Sequence, residues 1–377
     1  MSLDALVEVS RRYGSDPQWV LAGGGNTSFK DDENLYVKAS GYPLSTIGPN
    51  GFARMNRRAL QRIWSATYPE KTAEREAAAL TELMAAREQG ETRRPSVETL
   101  MHELFPYPLV VHTHPAFVNG LTCAVDGERA ARRLFGTRLL WIPAVEPGYV
   151  LAMEMRRAAQ DHLHKYGVFP RLVMLQNHGL VIAGRGVSDI DLLHREVRRV
   201  VHKALTREPD LTPAEFDPGA RDRWDAAIRI AFPHDVTLEF HANAELHQRL
   251  HSPKEFAPLA GAFTPDHIVY AGSAPLYVTG DSIAPAAGLS SLIAAYRHDH
   301  GADPRIIAIE RLGVVAVAET ASACRTALAL FLDEVKIAAY ADSFGGARHL
   351  DPHLVKFIES WEVERYRKKI SEGGSPS

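Results

Sequence analysis

Two segments of the 377-residue chain carry the same pattern, in which two apolar runs are joined by a short polar turn. Residues 170–181 read PRLVMLQNHGLV and residues 304–315 read PRIIAIERLGVV, so the two segments match without a gap at an offset of 134 residues. The register continues into the helices that the sequence predicts after Ser188 and Ser322. A unit that recurs in this way indicates an internal duplication. The alternative is a chance likeness between two β-α units, because apolar strands resemble one another.

The length and composition fit a soluble globular protein of about two domains, with 45% hydrophobic and 24% charged residues. Residues 206–220 are rich in proline and acidic side chains, which is typical of a domain boundary. The sequence therefore predicts a first domain over residues 1–208. It predicts a second domain over residues 221–370, as a degenerate repeat of related α/β architecture.

Charge and cysteine content favour a small-molecule partner and a reducing compartment. The formal net charge is −3, without the basic stripe of a nucleic-acid-binding protein or a polybasic tract for a membrane surface. The first 16 residues lack the apolar core of a signal peptide, and the sequence has no run of 18 apolar residues. Cys123 and Cys324 are the only cysteines, which leaves no disulfide framework. We expect a cytoplasmic protein that binds neither nucleic acid nor membrane.

Residues 110–115, VVHTHP, place two histidines one residue apart at the end of an apolar run. Side chains alternate between the two faces of a strand, so His112 and His114 are predicted to project to the same side. Such a pair can form half of a metal site. Because the chain contains 17 histidines, a chance occurrence is the alternative for this pair taken alone.

A third histidine lies at the end of another predicted strand, at residues 171–176. His178 precedes Gly179, which lets the chain bend sharply, and this position makes it the natural third ligand. In the second unit of the repeat the matching residue is Leu312. The second unit is therefore predicted to keep the strands and helix and to lack a metal site.

A glycine-rich segment, GGGNTS, follows a strand predicted at residues 19–22. Glycines at such a point can turn backbone N–H groups toward an anion, so Gly25, Asn26 and Ser28 are candidates for a phosphate-binding loop. The alternative is an ordinary glycine-rich hairpin, since the segment is neither a GxGxxG nor a Walker A motif. A second strand, predicted at residues 35–39, ends at Ser40-Gly41, and the two strand ends can converge on one ligand.

An acidic residue lies close to the start of a short predicted helix at residues 99–104. Ser96 is predicted to cap this helix, with Glu98 in its first turn. Acidic residues are common there because they complement the helix dipole, so a structural role is the alternative for Glu98. A further helix is predicted at residues 72–89, and we assign it a structural role only. The other predicted helices cover residues 3–13, 150–166 and 188–205, and the other predicted strands cover residues 108–111, 139–143 and 180–183.

Taken in this order, the motifs GGNTS, SG, PSVE, HTHP and NHG resemble those of the class II aldolase/adducin family. The match spans about residues 20–205. Within the family, the chain resembles the aldolase part of longer proteins described as rhamnulose-1-phosphate aldolase/alcohol dehydrogenase. The resemblance implies a three-layer α/β/α class II aldolase-like fold, followed here by a related domain without metal ligands. Those longer proteins continue into a short-chain dehydrogenase domain, which is not expected in this chain, so no nicotinamide chemistry is expected.

The resemblance also implies roles for individual residues. His112, His114 and His178 would bind a divalent metal ion, with zinc as the expected ion, and Glu98 would be the catalytic acid/base. Val97 stands where fuculose-phosphate aldolases have a second phosphate-binding serine. The residues implied in phosphate binding are Gly25, Asn26, Ser28, Ser40, Gly41 and Ser96.

The function implied is metal-dependent cleavage of a ketose 1-phosphate, such as rhamnulose 1-phosphate, to dihydroxyacetone phosphate and an aldehyde through a metal-bound enediolate. Epimerisation, dehydration or decarboxylation at the same metal site is a second hypothesis. A third is a non-catalytic, adducin-like interaction module, which the presence of all three histidines and Glu98 argues against. The expected partner is a small sugar phosphate, and a homo-oligomer is expected.

Overall fold

The computed structural model of the chain describes residues 2–280 and 286–361. Eleven strands lie in these residues: β1 (Asn26–Lys30), β2 (Asn34–Lys38), β3 (Phe52–Asn56), β4 (Leu109–Thr113), β5 (Leu139–Ile142), β6 (Leu172–Leu175), β7 (Gly179–Gly184), β8 (Thr237–His241), β9 (Leu276–Val278), β10 (Ile306–Ile309) and β11 (Gly313–Ala318). Among the same residues, no helix is both long enough and apolar enough to span a lipid bilayer.

The helices of the first half of the chain are α1 (Leu3–Gly14), α2 (Arg57–Ile63), α3 (Thr72–Ala85), α4 (Thr99–Leu104), α5 (Ala116–Thr122), α6 (Gly127–Phe135), α7 (Tyr149–Tyr166) and α8 (Val187–Ala204). Those of the second half are α9 (Pro218–Ala231), α10 (Ala244–Arg249), α11 (Pro253–Phe256), α12 (Pro265–Ala271), α13 (Ala286–His300), α14 (Ala321–Ala341) and α15 (Pro352–Ser360). The predicted helices and strands at residues 3–13, 99–104, 108–111, 139–143, 150–166, 171–176, 180–183 and 188–205 are confirmed to within a few residues.

The first sheet has seven strands in the order β3-β2-β1-β4-β7-β6-β5. Its strand pairs are antiparallel, apart from the parallel pair β5–β6. Alternate residues of the central strand β4 enter different cores: Val111 packs in one apolar cluster and Val110 in another, on the opposite face. Helices cover both faces, since α5 and α8 contribute to the first cluster and α7 to the second. The expected three-layer α/β/α fold is confirmed.

The second sheet has four strands in the order β8-β11-β10-β9, which matches the order β4-β7-β6-β5 of the first. Strands β10 and β11 begin and end 134 residues after β6 and β7. The turns between them also agree, because Asn177 (φ 53°) and Arg311 (φ 60°) both adopt the left-handed conformation. The division into residues 1–208 and 221–370 stays a prediction, which these matches support; residues 362–370 lie outside the described part.

One apolar core joins the two halves. It lies between the sheets and includes residues of α5 and α8 from the first half and of α14 from the second. The packing of α14 on α5 is close: a Cβ atom at Gly120 would lie 2.2 Å from the Cβ atom of Tyr340. Tyr340 also donates a hydrogen bond to Glu208, at 2.9 Å. Helix α14 therefore fixes the position of one half relative to the other.

Three details of the sequence prediction are wrong. Residues 19–22 do not form a strand; they lead into a turn, with Ala22 at φ 48°, and the first strand begins after the glycines. Helix α3 ends at Ala85 because the following residues pair with β3, as in the hydrogen bond from Asn56 N to Ala86 O. Glu98, rather than Ser96, occupies the N-cap position of α4, and Ser96 Oγ accepts a hydrogen bond from the Glu98 N–H.

Two buried acidic residues of α14 face a buried histidine of α12. Asp333 and Glu334 are 5% and 2% exposed, and His267 Nε2 lies 3.5 Å from Asp333 Oδ2. Burial raises the pKa of the Glu334 carboxyl to about 8, although His267 opposes the shift. The folded protein thus keeps a proton on Glu334 that the unfolded chain releases above its ordinary pKa of 4.5.

Because Glu334 holds this proton only in the folded state, the stability of the protein is expected to depend on pH. A carboxyl pKa that is higher in the folded state makes the free energy of unfolding fall as the pH rises from 4.5 to about 8. The slope from this group is at most about 1.4 kcal/mol per pH unit. We expect Glu334→Gln to remove that slope and to stabilise the protein at pH 8, as measured by urea unfolding at several pH values. The exposed Glu359→Gln is the control, and an unchanged pH dependence in Glu334→Gln would contradict the assignment.

Candidate active site

Three histidines converge at one edge of the first sheet. His112 is the fourth residue of β4 and His114 follows its end, while His178 lies in the turn between β6 and β7. Strands β4 and β7 are antiparallel neighbours, with His112 opposite Val181, and this pairing brings the turn to the end of β4. These three histidines were predicted to come together although they lie up to 66 residues apart in the sequence. The structure brings them together.

The distances between the imidazole nitrogens suit a single metal ion. His112 Nε2 lies 2.8 Å from His114 Nε2 and 3.3 Å from His178 Nε2. Two nitrogens bound to zinc at 2.0–2.1 Å with tetrahedral angles lie about 3.3 Å apart. Among the described residues, these three form the group of histidine, cysteine or acidic side chains whose ligand atoms could hold an ion. The residues present therefore fit a divalent metal.

The outer nitrogens of two of these rings have acceptors that fix the tautomer. His112 Nδ1 lies 2.9 Å from the carbonyl oxygen of Leu180, which can only accept, so Nδ1 carries the proton. His114 Nδ1 lies 2.5 Å from Oδ2 of Asp266, a residue of α12 in the second half. Both arrangements leave the Nε2 lone pair directed into the site, as metal ligation requires.

Glu98 faces two of the three histidines. Its Oε1 lies 3.4 Å from His112 Nε2 and 3.3 Å from His178 Nε2, and its Oε2 accepts a hydrogen bond of 3.2 Å from Asn26 Nδ2. Burial would raise the pKa of the carboxyl, but the two imidazoles outweigh this effect and hold the pKa well below its usual range. Glu98 is therefore a carboxylate at neutral pH, beside the position where a metal would bind.

The electrostatic environments of the adjacent histidines His112 and His114 differ. Burial lowers the pKa of His114 to about 4, against the opposing effect of Asp266, so its ring is neutral at pH 7. Burial also acts to lower the pKa of His112, but the charge of Glu98 outweighs it and raises that pKa above its ordinary value of 6.5. Without a metal, the charge of Glu98 thus favours the protonated form of the His112 ring.

A cavity opens above Glu98, His114 and His178, and most of the predicted phosphate-binding residues line it. His112 is fully buried beneath it. The lining comprises Gly23, Gly25, Asn26, Lys38, Ser40, Gly41, Ser96, Val97, Glu98, His114, Pro147, His178, Pro265, Asp266 and Trp361. The glycine-rich segment, the Ser40-Gly41 pair and the Ser96–Glu98 segment therefore line one cavity.

Ser28 is the one predicted phosphate-binding residue that the structure does not bring to this cavity. Its side chain is fully buried, and its hydroxyl lies 2.7 Å from Nδ1 of His102. On β1, Ser28 lies two residues beyond Asn26, closer to the interior of the sheet. Its assignment to phosphate binding stays a prediction.

Lys38, Asp266 and Trp361 are among the cavity residues that were not assigned to the site from the sequence. Lys38 is only 6% exposed, lines the cavity and donates a hydrogen bond of 2.9 Å to the carbonyl oxygen of Gly23. Asp266 and Trp361 reach the cavity from the second half. Only Lys38 has a local signal, since it directly precedes the Ala39-Ser40-Gly41 strand end. The other two depend on contacts between the halves, which sequence periodicity does not report.

Residues 4–201, just over half of the chain, match the sequence family described as the class II aldolase and adducin N-terminal domain. The chain belongs to this family. The match covers the seven-stranded sheet and all three histidines, together with Glu98.

The relatives of this chain within the class II aldolase family differ in how much of their length the chain covers. The uncharacterized oxidoreductase YuxG of Bacillus subtilis (strain 168) is 24% identical over 424 residues, which cover 98% of this chain and 58% of YuxG. The chain therefore spans less than two thirds of that relative. The N-terminal class II aldolase domain of a conserved protein from Thermoplasma acidophilum is 26% identical, covering 54% of this chain and 93% of that one, with a TM-score of 0.45. A sugar-phosphate aldolase from Thermotoga maritima is 12% identical, covering 55% and 97%, with a TM-score of 0.39.

Replacement of His178 by alanine is expected to cause loss of the metal ion. Its imidazole supplies one of the three converging nitrogens, and loss of a direct ligand costs at least the ~10–100-fold in affinity typical of losing an outer-shell partner. We expect His178→Ala to retain well under one equivalent of metal after dialysis, measured by elemental analysis. The exposed His164→Ala on α7 is the matched control. Full metal occupancy in His178→Ala would refute the ligand role.

Proposed function

We propose that this protein is a divalent-metal-dependent aldolase that cleaves a ketose 1-phosphate, such as rhamnulose 1-phosphate, into dihydroxyacetone phosphate and an aldehyde. The observation that carries the proposal is the convergence of three imidazoles and one carboxylate at the base of a polar cavity. A non-catalytic binding module has no need for a carboxylate held 3.3–3.4 Å from two imidazoles. The site therefore favours an enzyme.

His112, His114 and His178 would hold the ion, and we propose zinc because three imidazoles are a preferred ligand set for it. Three protein ligands leave a coordination position open, which is the arrangement of catalytic rather than structural sites. When bound, the ion would act as a Lewis acid on the oxygens of the ketose and stabilise the negative charge that develops as the carbon–carbon bond breaks. This chemistry makes a Schiff-base lysine unnecessary.

Glu98 is the proposed acid/base. Its carboxylate is anionic at neutral pH because the imidazoles of His112 and His178 hold its pKa low, so it can accept a proton from a substrate hydroxyl. It can then return a proton to the carbon on the ketone side of the broken bond. Asn26 orients the carboxylate, since its amide nitrogen donates to both Glu98 Oε2 and Ser96 Oγ.

The phosphate group of the substrate is proposed to bind at the wall formed by Gly25, Asn26, Ser40, Gly41 and Ser96. The hydroxyl of Ser96 and the backbone N–H groups of Gly25 and Gly41 would donate hydrogen bonds to phosphate oxygens there. Lys38 adds a buried ammonium group to the same wall. A cation beside neutral donors strengthens phosphate binding, because hydrogen bonds between charged groups are stronger than neutral ones.

The proposal is tested by product analysis on a panel of ketose 1-phosphates and the corresponding free ketoses, with metal-loaded protein. We expect one equivalent of dihydroxyacetone phosphate and one of aldehyde for each ketose phosphate consumed. Epimerisation, dehydration and decarboxylation would consume the same compounds without releasing dihydroxyacetone phosphate. Consumption with only such products, or no consumption of any member of the panel, would overturn the proposed reaction.

Replacement of Lys38 by methionine is expected to weaken binding of phosphorylated substrates selectively. A lost charge-assisted hydrogen bond of about 1.5–3 kcal/mol corresponds to a rise in KM of roughly 10–150-fold. We expect the KM for free ketoses to change little, because they carry no phosphate. The exposed Lys203→Met on α8 is the control variant. An equal rise in KM for both kinds of substrate would assign Lys38 a structural role only.

Replacement of Glu98 by glutamine is expected to reduce kcat by about 10²–10⁴, the usual contribution of a placed acid/base. Glutamine keeps the size of the side chain but cannot move a proton, so metal content should stay at one equivalent. Steady-state kinetics and elemental analysis of the same sample check both expectations, with the exposed Glu74→Gln on α3 as control. A near-normal kcat in Glu98→Gln would mean that another group moves the proton.

A further inference from the structure

The second half of the chain contacts the histidine cluster through the carboxylate of Asp266. Asp266 lies in the first turn of α12, is 5% exposed, and places Oδ2 2.5 Å from His114 Nδ1. The two residues are 152 positions apart in the sequence. We infer that Asp266 is a positioning residue that orients His114 as a metal ligand, so that the second half completes the metal centre. This inference rests on the proposed metal site.

A carboxylate on the outer nitrogen of a metal-binding histidine has two effects. It holds the ring in one orientation and one tautomer, and it increases the electron density available at the ligating nitrogen. The adjacent His112 has a backbone carbonyl, that of Leu180, in the equivalent role. The two histidines of the HTHP motif are thus supported differently, one by its own sheet and the other by the second half.

Helix α14 supports both members of the His114–Asp266 pair. The start of α12 is held by a capping box, in which the Thr264 side chain accepts a hydrogen bond from the backbone N–H of His267 and Thr264 N donates one of 3.2 Å to His267 Nδ1. On its other side His267 faces Asp333 of α14, at 3.5 Å. Helix α14 also packs on α5, which begins two residues after His114. Both members of the His114–Asp266 pair are therefore tied to α14, which keeps their separation constant.

The glycine-rich loop is shaped to pass over this pair. A Cβ atom at Gly24 would lie 2.5 Å from Asp266 Oδ2 and 3.2 Å from His114 Nδ1. A Cβ atom at Gly23 would lie 2.7 Å from the hydroxyl oxygen of Tyr270, also in α12. The loop thus has no room for side chains at two positions because α12 lies against it. Its closeness also limits the access of water to the pair, which strengthens the interaction of carboxylate and imidazole.

The alternative role for Asp266 is purely structural, as a buried polar contact between the two halves. The two roles predict different effects of Asp266 on the affinity and coordination of the bound metal ion. A structural contact affects the stability of the metal-free protein and leaves the affinity and coordination of the bound ion unchanged. A positioning residue changes both of these properties in folded protein.

The test measures Co²⁺ and Zn²⁺ affinity by competition with a chelator, and the visible absorption spectrum of the Co²⁺ form, in the full chain. We expect Asp266→Ala to lower metal affinity by about 10–100-fold and to shift the Co²⁺ absorption bands. Asp266→Asn should fall between Ala and wild type, because its amide oxygen still accepts the Nδ1–H bond but carries no charge. The exposed Asp299→Asn on α13 controls for the loss of one negative charge.

Wild-type affinity and an unshifted spectrum in both folded Asp266 variants would overturn the inference while leaving the proposed metal site intact. Failure of the wild-type protein to bind a divalent ion would overturn the proposed function and this inference together. If the Asp266 variants do not fold, Gly24→Ala provides the second measurement, since its methyl group would displace Asp266 from His114. Reduced metal affinity in folded Gly24→Ala would support the inference, and unchanged affinity would overturn it.

Discussion

The site depends on one unfavourable arrangement, in which three imidazole nitrogens are buried with their lone pairs directed at one point. His112 Nε2 lies within 3.3 Å of the corresponding nitrogen of both His114 and His178. Three neutral rings in this geometry repel one another unless a cation lies between them, and a proton shared with Glu98 or a metal ion meets that need. The surrounding fold must hold the rings against this repulsion, and it does so through acceptors on the outer nitrogens of two rings.

The two halves of the chain divide that task. The first half supplies all three imidazoles, Glu98 and the carbonyl oxygen of Leu180, whereas the second supplies the carboxylate of Asp266. At the turn of the second sheet that matches His178, Leu312 packs against the apolar cluster of its own sheet. The second unit of the predicted repeat thus keeps the backbone of the turn, with Arg311 in the left-handed conformation, and uses the position for packing. The carboxylate beside His114 comes instead from α12.

The features that could be predicted from the sequence are those that depend on local patterns. Apolar periodicity and the 134-residue register located β6, β7, β10 and β11, because strands buried on both faces need continuous apolar runs. The histidines could be grouped because each ends a strand or follows one. Contacts between the halves could not be predicted in this way. Residues 19–22 look like a strand, but α12 lies against the loop that follows them, and the apolar pattern does not record which surface a segment meets.

The charges around the cavity also bear on what it can bind. Glu98 and Asp266 contribute two negative charges, which a divalent ion at the histidines would balance. Lys38 places its ammonium group on the wall that carries Ser40, Gly41 and Ser96. A phosphate would be attracted to this ammonium group and held apart from the Glu98 carboxylate, whereas a neutral sugar would gain less from it. This arrangement supports the proposed substrate, a ketose 1-phosphate, which has its anionic group at one end and its reacting carbons at the other.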